Sequence, residues 1–224
     1  MEYIEHLSRD KKLKNLIDQQ GPHTLSRYEN VCLRLCASII SQQLSTKVAA
    51  VIYGRFIGLF NGKDPSPAQI LKTDSGKLRS VGLSASKVSY IQNVARFAIE
   101  RGMQHDKLIR MAPEEVIAYL TEIKGVGRWT AEMLLMFTLG HEDVFAPDDL
   151  GIQTAMASIY RLDTADRKKF RGRMETISAK WQPYRTYACL HLWKWKDTRQ
   201  PVKGTVSAVP SNGKKNLRVK TRVK

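Results

Sequence analysis

The spacing of apolar residues is the feature that most limits how this chain can fold. Along nearly the whole of the first 198 residues, apolar side chains recur at intervals of three and four, which is the period of one helix face. We find no series of alternating patterns bounded by turn residues, which would indicate strands. We therefore predict an all-α fold. The clearest stretch comprises Tyr28, Val31, Cys32, Leu35, Cys36, Ile39 and Ile40.

Short polar residues mark where several helices begin. Residues 41–43 are polar and interrupt the first apolar pattern, and Ser45 can cap the next helix by accepting a backbone N–H. A later helix begins at Ser84 or Ser86, and Pro113 fits the first turn of another, where no N–H is needed. With 42% hydrophobic residues in 224, these helices can bury a core as one globular unit or two closely joined subdomains.

Positive charge indicates the class of binding partner. The chain holds 37 Lys and Arg against 21 Asp and Glu, a formal net charge of +16. Residues 199–224 lose the apolar period and contain eight of these cations and no acid, so we predict a disordered basic tail. The other half of the excess belongs to residues 1–198, which favours a polyanion such as DNA. A basic protein that binds no nucleic acid has the same composition.

Cysteine content indicates the compartment. Three cysteines are an odd number, and we find no secretory segment or long apolar run, so we expect an intracellular protein with reduced thiols and no membrane association. Cys32 and Cys36 lie one helical turn apart, without the additional Cys or His that a zinc or iron–sulfur site needs. We predict no structural metal of that kind.

A very short turn with two glycines joins two apolar helical segments within residues 120–131, LTEIKGVGRWTA. Glycine lets the chain reverse tightly and lets another backbone approach. The unpaired amides and the dipole at the start of the second helix can bind one phosphate, and Lys124 and Arg128 add positive charge. Any tight turn between helices can use two glycines, so the spacing alone does not establish a DNA contact.

The full hairpin closely resembles the helix-hairpin-helix of the DNA glycosylase superfamily, in which hairpin amides hold the DNA backbone. The resemblance covers roughly residues 10–198. It implies DNA phosphate contacts from Lys124, Gly125, Val126, Gly127, Arg128 and Thr130. It also implies that no cofactor is required, and that a structural Na⁺ or K⁺ can bind the backbone carbonyls of Thr121, Ile123 and Val126.

Two adjacent acids follow the hairpin in the segment DVFAPDDL, residues 143–150. Asp149 lies twenty residues after Trp129, and its loop resembles the Pro-Asp-Asp loop of the alkylated-base glycosylases, whose aspartate is essential. A fixed carboxylate stabilises the positive charge that develops on the sugar as an N-glycosidic bond breaks, and it can orient or deprotonate water. The resemblance assigns this role to Asp149, and we expect Asp148 to cap the next helix. Without the hairpin, two capping acids before a helix at 151–160 would be the simpler interpretation.

Two tryptophans bear on the reaction and the substrate. Glycosylases that also cut the DNA strand carry an amine nucleophile where this chain has Trp129, and an indole cannot form a Schiff base. The resemblance therefore implies a monofunctional enzyme that leaves an abasic site. Trp129 and Trp193 also match base-pocket walls of the alkylpurine glycosylases, where aromatic faces attract a cationic base. Met133 and Leu150 occupy positions at which some members carry pocket tyrosines, which leaves the lesion open.

Excision from duplex DNA requires the nucleotide to rotate outward while a side chain fills the gap. Gln43 matches the glutamine that does so in several superfamily members, and Leu44 is the alternative wedge. A solvated turn is the ordinary interpretation of such a polar break. We expect Trp181 and Trp195 in the core, and His191 to be a helix residue with a satisfied ring and no acid–base role.

Together these features predict a helical glycosylase core at 1–198, with the hairpin motif at about 113–139 and the catalytic loop at about 140–150. Two helical subdomains should enclose the active site between them. The predicted enzyme is a monomer that acts on double-stranded DNA and releases N-alkylated purines of the 3-methyladenine class. Two alternatives stay open: the same chemistry on deaminated or oxidised bases, and a helix-hairpin-helix module that binds DNA without catalysis.

Overall fold

The computed structural model describes residues 1–199, and every regular element in this range is helical, which confirms the predicted all-α fold. The predicted basic tail, apart from Arg199, lies outside the described residues. A π-helical turn at Leu135–Leu139 continues the α-helix that ends at Leu134, and a 3-10 turn at Ala179–Trp181 follows the α-helix that ends at Ser178. The α-helices are α1 (Glu2–Leu7), α2 (Lys11–Gln20), α3 (Val31–Ser41), α4 (Thr46–Gly58), α5 (Pro67–Lys72), α6 (Ser75–Ser80), α7 (Ala85–Glu100), α8 (His105–Leu108), α9 (Pro113–Thr121), α10 (Arg128–Leu134), α11 (Leu150–Tyr160), α12 (Arg167–Ser178) and α13 (Arg185–Arg199).

The helices pack in two groups around a continuous apolar core. In the first group, α3 packs against α4 and α7, and α5 also packs against α7. In the second, α13 packs against α2 and α11, and the ring of Tyr3 from α1 stacks on that of Tyr187, with centroids 3.9 Å apart. Helix α10 packs against α9 and α3 and continues through the π-helical turn. The hairpin and the loop after it therefore connect the two groups.

Several helices begin at the predicted residues. The Ser45 hydroxyl accepts the N–H of Val48 and caps α4. Of the two serines predicted for α7, Ser84 is the cap, since its hydroxyl accepts the N–H of Lys87. Pro113 is the first residue of α9. These caps satisfy backbone N–H groups that have no partner within their own helix.

The start of α11 differs from the prediction. Its N-cap is Asp149, whose Oδ1 accepts the N–H of Ile152 at 2.9 Å, so the assignment of Asp148 as the cap is wrong. The physical reason is register: α11 begins at Leu150, and only the residue directly before a helix can reach its first-turn amides. The Asp148 carboxylate instead forms an ion pair with Arg171 of α12.

Buried side chains agree with the expected core. Trp181 is almost fully buried, and Trp195 is half-buried against the core. The three cysteines are buried and form no disulfide. Within residues 1–199, no helix has both the length and the apolar composition to cross a membrane.

Candidate active site

The carboxylate of Asp149 lies between two indole rings. The Nε1–H of Trp129, in the first turn of α10, donates to Oδ2 at 2.9 Å, and the Nε1–H of Trp193, in α13, donates to Oδ1 at 2.8 Å. All three side chains are half-buried. Three residues selected from distant parts of the sequence therefore meet at one point, where the two helix groups join.

Hydrogen bonds fill most of the acceptor positions of this carboxylate. Oδ1 accepts from both Ile152 N–H and Trp193, whereas Oδ2 accepts from Trp129 alone. A carboxylate offers about four lone-pair positions, so the contacts within residues 1–199 leave one position on Oδ2. The N-terminus of α11 adds the positive end of a helix dipole. The site thus holds a negative charge in one orientation, with one oxygen able to receive a further partner.

Two residues that the sequence reasoning missed complete the surroundings of Trp193. The Phe137 ring, in the π-helical turn, lies with its centroid 5.6 Å from that of Trp193. A Cβ on Gly151 would lie 2.9 Å from Trp193 Cδ1 and 3.0 Å from Asp149 Oδ1. The missing side chain therefore lets the indole lie against the start of α11. A glycine in the first turn of a helix is a detectable signal, because glycine disfavours helix formation.

A second carboxyl, that of Glu132, is fully buried in α10. Its Oε1 accepts Nε–H of Arg128 at 3.0 Å, and its Oε2 has no partner among the described residues. Burial raises the pKa of Glu132 to about 7, although Arg128 acts in the opposite direction. This carboxyl can therefore gain or lose a proton near neutral pH. The sequence contains no signal of this, because an acid in an amphipathic helix is usually exposed.

The guanidinium of Arg128 is engaged by acids on two sides. Its Nη1 and Nη2 donate to the carboxylate of Glu114 at 3.0 and 2.6 Å, in addition to the Nε–H bond to Glu132. These two acids compensate the charge of the guanidinium. As long as the ion pairs are formed, only the backbone N–H of Arg128 is available for the predicted phosphate contact. Of the other predicted phosphate contacts, Lys124 is exposed and Thr130 is buried.

The two hairpin glycines differ in what they allow. Gly125 has a φ of +106°, in the left-handed region that favours glycine, and a Cβ there would lie 2.2 Å from Tyr90 Cγ. Gly127 has an ordinary φ of −94° and would have no atom within 4 Å of a Cβ. It is the N-cap of α10 and offers no capping side chain. The open space at Gly127 therefore gives an external group access to the first amides of α10.

The remaining predicted pocket and wedge residues differ in exposure. Met133 is half-buried against the core, whereas Leu150, next to Asp149, is 75% exposed. In the turn between α3 and α4, Gln43 is exposed with a φ of +59°, and Leu44 is half-buried against the core. Leu150 thus lies at the surface and does not line an enclosed pocket. Gln43 projects from the turn more freely than Leu44.

His191 is engaged elsewhere. Its ring is fully buried, with Nδ1 2.8 Å from Oε1 of Gln20 and no partner for Nε2 among the described residues, so the ring is satisfied at one nitrogen only. Burial lowers the pKa of His191 to about 3, which leaves the imidazole neutral at physiological pH. No group of three or more His, Cys, Asp or Glu within the described residues is arranged to hold a metal ion.

The sequence is similar to one protein family and to several named proteins. The profile of the HhH-GPD superfamily base excision DNA repair proteins matches residues 36–181. DNA-3-methyladenine glycosylase 1 of Schizosaccharomyces pombe is 34% identical over 186 residues, which cover 82% of this chain and 80% of that protein. The alkylbase DNA glycosidase-like protein mag2 of the same organism is 32% identical over 200 residues, covering 85% and 91%.

Solved structures share the fold. The S. pombe 3-methyladenine DNA glycosylase Mag1, in complex with abasic DNA, superposes with a TM-score of 0.76 at 34% identity, over 87% of this chain and 96% of that one. DNA-3-methyladenine glycosidase from Bacillus halodurans also superposes with a TM-score of 0.76, at 36% identity over 87% and 88%. The arrangement of helices is therefore that of known 3-methyladenine glycosylases.

Proposed function

The chain belongs to the HhH-GPD superfamily of base excision DNA repair proteins, and we propose that it is a monofunctional DNA glycosylase that hydrolyses the N-glycosidic bond of N-alkylated purines. The observation that carries this proposal is the Asp149 carboxylate held between the indoles of Trp129 and Trp193. One relative that matches most of the chain is named a DNA-3-methyladenine glycosylase, and another is named an alkylbase DNA glycosidase-like protein, which supports the substrate class.

Asp149 acts as the anion that stabilises the transition state. The deoxyribose becomes cationic as the base departs, and a carboxylate already fixed by three donors needs little reorganisation to meet that charge. The open position on Oδ2 can accept a hydrogen bond from the attacking water and orient it. An alkylated purine leaves readily, so the neutral ring of His191 is not needed as an acid.

The two tryptophans then have two roles. Their N–H edges hold Asp149, and their half-buried faces contact the cationic base, with Met133 and the exposed Leu150 at the margin of the same region. Trp129 stands where an amine nucleophile would be needed for strand cleavage, so the product is an abasic site in an intact strand.

The hairpin binds the DNA backbone without reading its sequence. The backbone amides of Gly125, Gly127 and Arg128 hold a phosphate, whereas the Val126 N–H already donates to the Ile123 carbonyl. The exposed Lys124 adds attraction. The carbonyls of Thr121, Ile123 and Val126 would hold a structural Na⁺ or K⁺; the Ile123 oxygen, which accepts the Val126 N–H, keeps a second lone pair for it. Gln43 enters the duplex as the wedge. The enzyme works as a monomer on DNA inside the cell.

Duplexes that each carry one lesion test this proposal. The lesions are a methylated purine, hypoxanthine and 8-oxoguanine, and both free base and strand integrity are measured. We expect release of the methylated purine with no strand cut until alkali is added. Asp149→Asn should lower that release by about 100-fold or more while abasic DNA is still bound. Preferential release of hypoxanthine or 8-oxoguanine would show that the substrate is a deaminated or oxidised base. Release of no base from any duplex would contradict the enzyme and favour a module that only binds DNA.

A further inference from the structure

The turn that carries Gln43 has an unusual backbone. Helix α3 ends at Ser41, and Gln43 takes a φ of +59°, which residues other than glycine rarely adopt. The turn's own hydrogen bonds are few: Gln42 N–H donates to Ile39, and Leu44 N–H donates to Ser41. The last carbonyls of a helix also lack partners within it. A turn of this kind keeps its shape only if another element holds it.

Lys87, in the first turn of α7, holds the turn from outside. Its Nζ donates to the carbonyl of Ile40 and to that of Gln42, both at 2.8 Å, across 47 and 45 residues. The side chain is half-buried, and burial lowers the pKa of Lys87. No acid pairs with it among the described residues. An ammonium at a helix C-terminus satisfies orphan carbonyls and interacts favourably with the negative end of the dipole.

The same helix also contacts the hairpin. The Tyr90 ring lies where a Cβ of Gly125 would be, and Nδ2 of Asn93 donates to the carbonyl of Lys124 at 3.2 Å. Lys87, Tyr90 and Asn93 follow one another at three-residue intervals, so they lie on one side of α7. Helix α7 therefore joins the turn that carries Gln43 to the two-glycine turn.

We propose that Lys87 is a positioning residue, which fixes the Gln43 turn so that the wedge keeps its place when it enters the duplex. The inference rests on the proposed glycosylase function. A stacked duplex resists the loss of one nucleotide from its stack, and that resistance acts back on the inserted side chain. Two charge-assisted hydrogen bonds to the backbone on the N-terminal side of Gln43 oppose that displacement.

Three substitutions separate this role from simple loss of charge. Lys87→Met keeps an unbranched apolar stem and removes the donors, whereas Lys87→Arg keeps donors. Lys63→Met removes one exposed charge from the loop between α4 and α5. We expect Lys87→Met to slow single-turnover release of a methylated purine from duplex DNA by about 10-fold or more. Lys87→Arg should recover most of that loss, and Lys63→Met should stay near wild type. Equal losses from Lys63→Met and Lys87→Met would overturn the proposal.

A double-mutant cycle with Gln43→Ala shows whether Lys87 acts through the wedge. If it does, Lys87→Met should have little further effect once Gln43 is alanine, and equal fold-losses in both backgrounds would contradict the proposal. Insertion of the wedge is followed independently of catalysis by the change in fluorescence of 2-aminopurine, placed opposite an abasic site, when the protein binds. Lys87→Met should reduce that change. That readout still tests Lys87 if no base is released. Thermal denaturation checks folding. If Lys87→Met unfolds, the uncharged Lys87→Gln takes its place and should slow base release in the same direction, whereas a wild-type rate would contradict the proposal.

Discussion

Replacing Gly151 by alanine tests whether the Trp193–Asp149 contact supports catalysis. Gly151 is the second residue of α11 and is buried. An added Cβ would lie 2.9 Å from Trp193 Cδ1, 3.2 Å from its Nε1 and 3.0 Å from Asp149 Oδ1. Because real Cβ atoms do not approach so closely, the indole or the carboxylate must move by some tenths of an ångström.

Opposing effects on stability make the activity the more informative quantity. Alanine is favoured over glycine in a helix by up to about 1 kcal/mol, whereas overpacking costs about 1–3 kcal/mol. The free energy of unfolding should therefore fall by no more than about 3 kcal/mol. A hydrogen bond to a charged group contributes about 1.5–3 kcal/mol. If Gly151→Ala breaks the one from Trp193, base release should slow by about 10- to 150-fold.

The assay is single-turnover release of a methylated purine, with thermal unfolding measured on the same preparations. Gly172→Ala is the matched control, because Gly172 also lies in a helix and would have no atom within 4 Å of a Cβ. The control should be slightly stabilised and fully active. If Gly151→Ala releases base at the wild-type rate, the indole–carboxylate contact does not contribute to catalysis.

Three further predictions concern the buried acid, the hairpin glycines and the tryptophans. Folding raises the pKa of Glu132 from 4.5 to about 7, so the wild type should lose stability as the pH rises from 4.5 to 7. Glu132→Gln should remove this loss. A difference in Tm between the two proteins that stays constant from pH 4.5 to 7 would refute the raised pKa of Glu132. Gly127→Ala should weaken binding to all DNA sequences alike without changing Tm, whereas Gly125→Ala should lower Tm. Fluorescence anisotropy measures the DNA binding and calorimetry measures Tm. If Gly127→Ala weakens binding only to DNA that carries a lesion, the phosphate contact is contradicted. Trp129→Phe removes the N–H that donates to Oδ2 of Asp149 and should slow base release by about 10-fold or more, whereas Trp181→Phe should affect stability alone.

Local chemistry explains why much of the fold could be predicted. Ser45 and Ser84 precede apolar helical patterns and have few alternatives to capping, so the helix starts follow from nearest neighbours. Asp148 and Asp149 are equivalent by that criterion, and only the register of α11 decides between them. Capping and the proposed catalytic role also proved compatible, since the oxygen of Asp149 that caps α11 also accepts the Trp193 N–H.

Long-range contacts explain what could not be predicted. Lys87 is one lysine among many in the sequence, and its partners lie more than forty residues away. Glu132 has the spacing of an ordinary helix acid, and its burial depends on how α10 packs. The π-helical turn lies in the apolar run Leu134–Leu139, where no residue pattern distinguishes it from α-helix. Gly151 was detectable in principle, but its purpose depends on an indole that arrives from another helix.

Helix α7 sets the distance between the turn that carries Gln43 and the two-glycine turn. Lys87 and Asn93 are six residues apart, which is about 9 Å along the helix axis, or between two and three base-pair steps of 3.4 Å. One helix therefore sets the spacing between the proposed phosphate site and the proposed wedge.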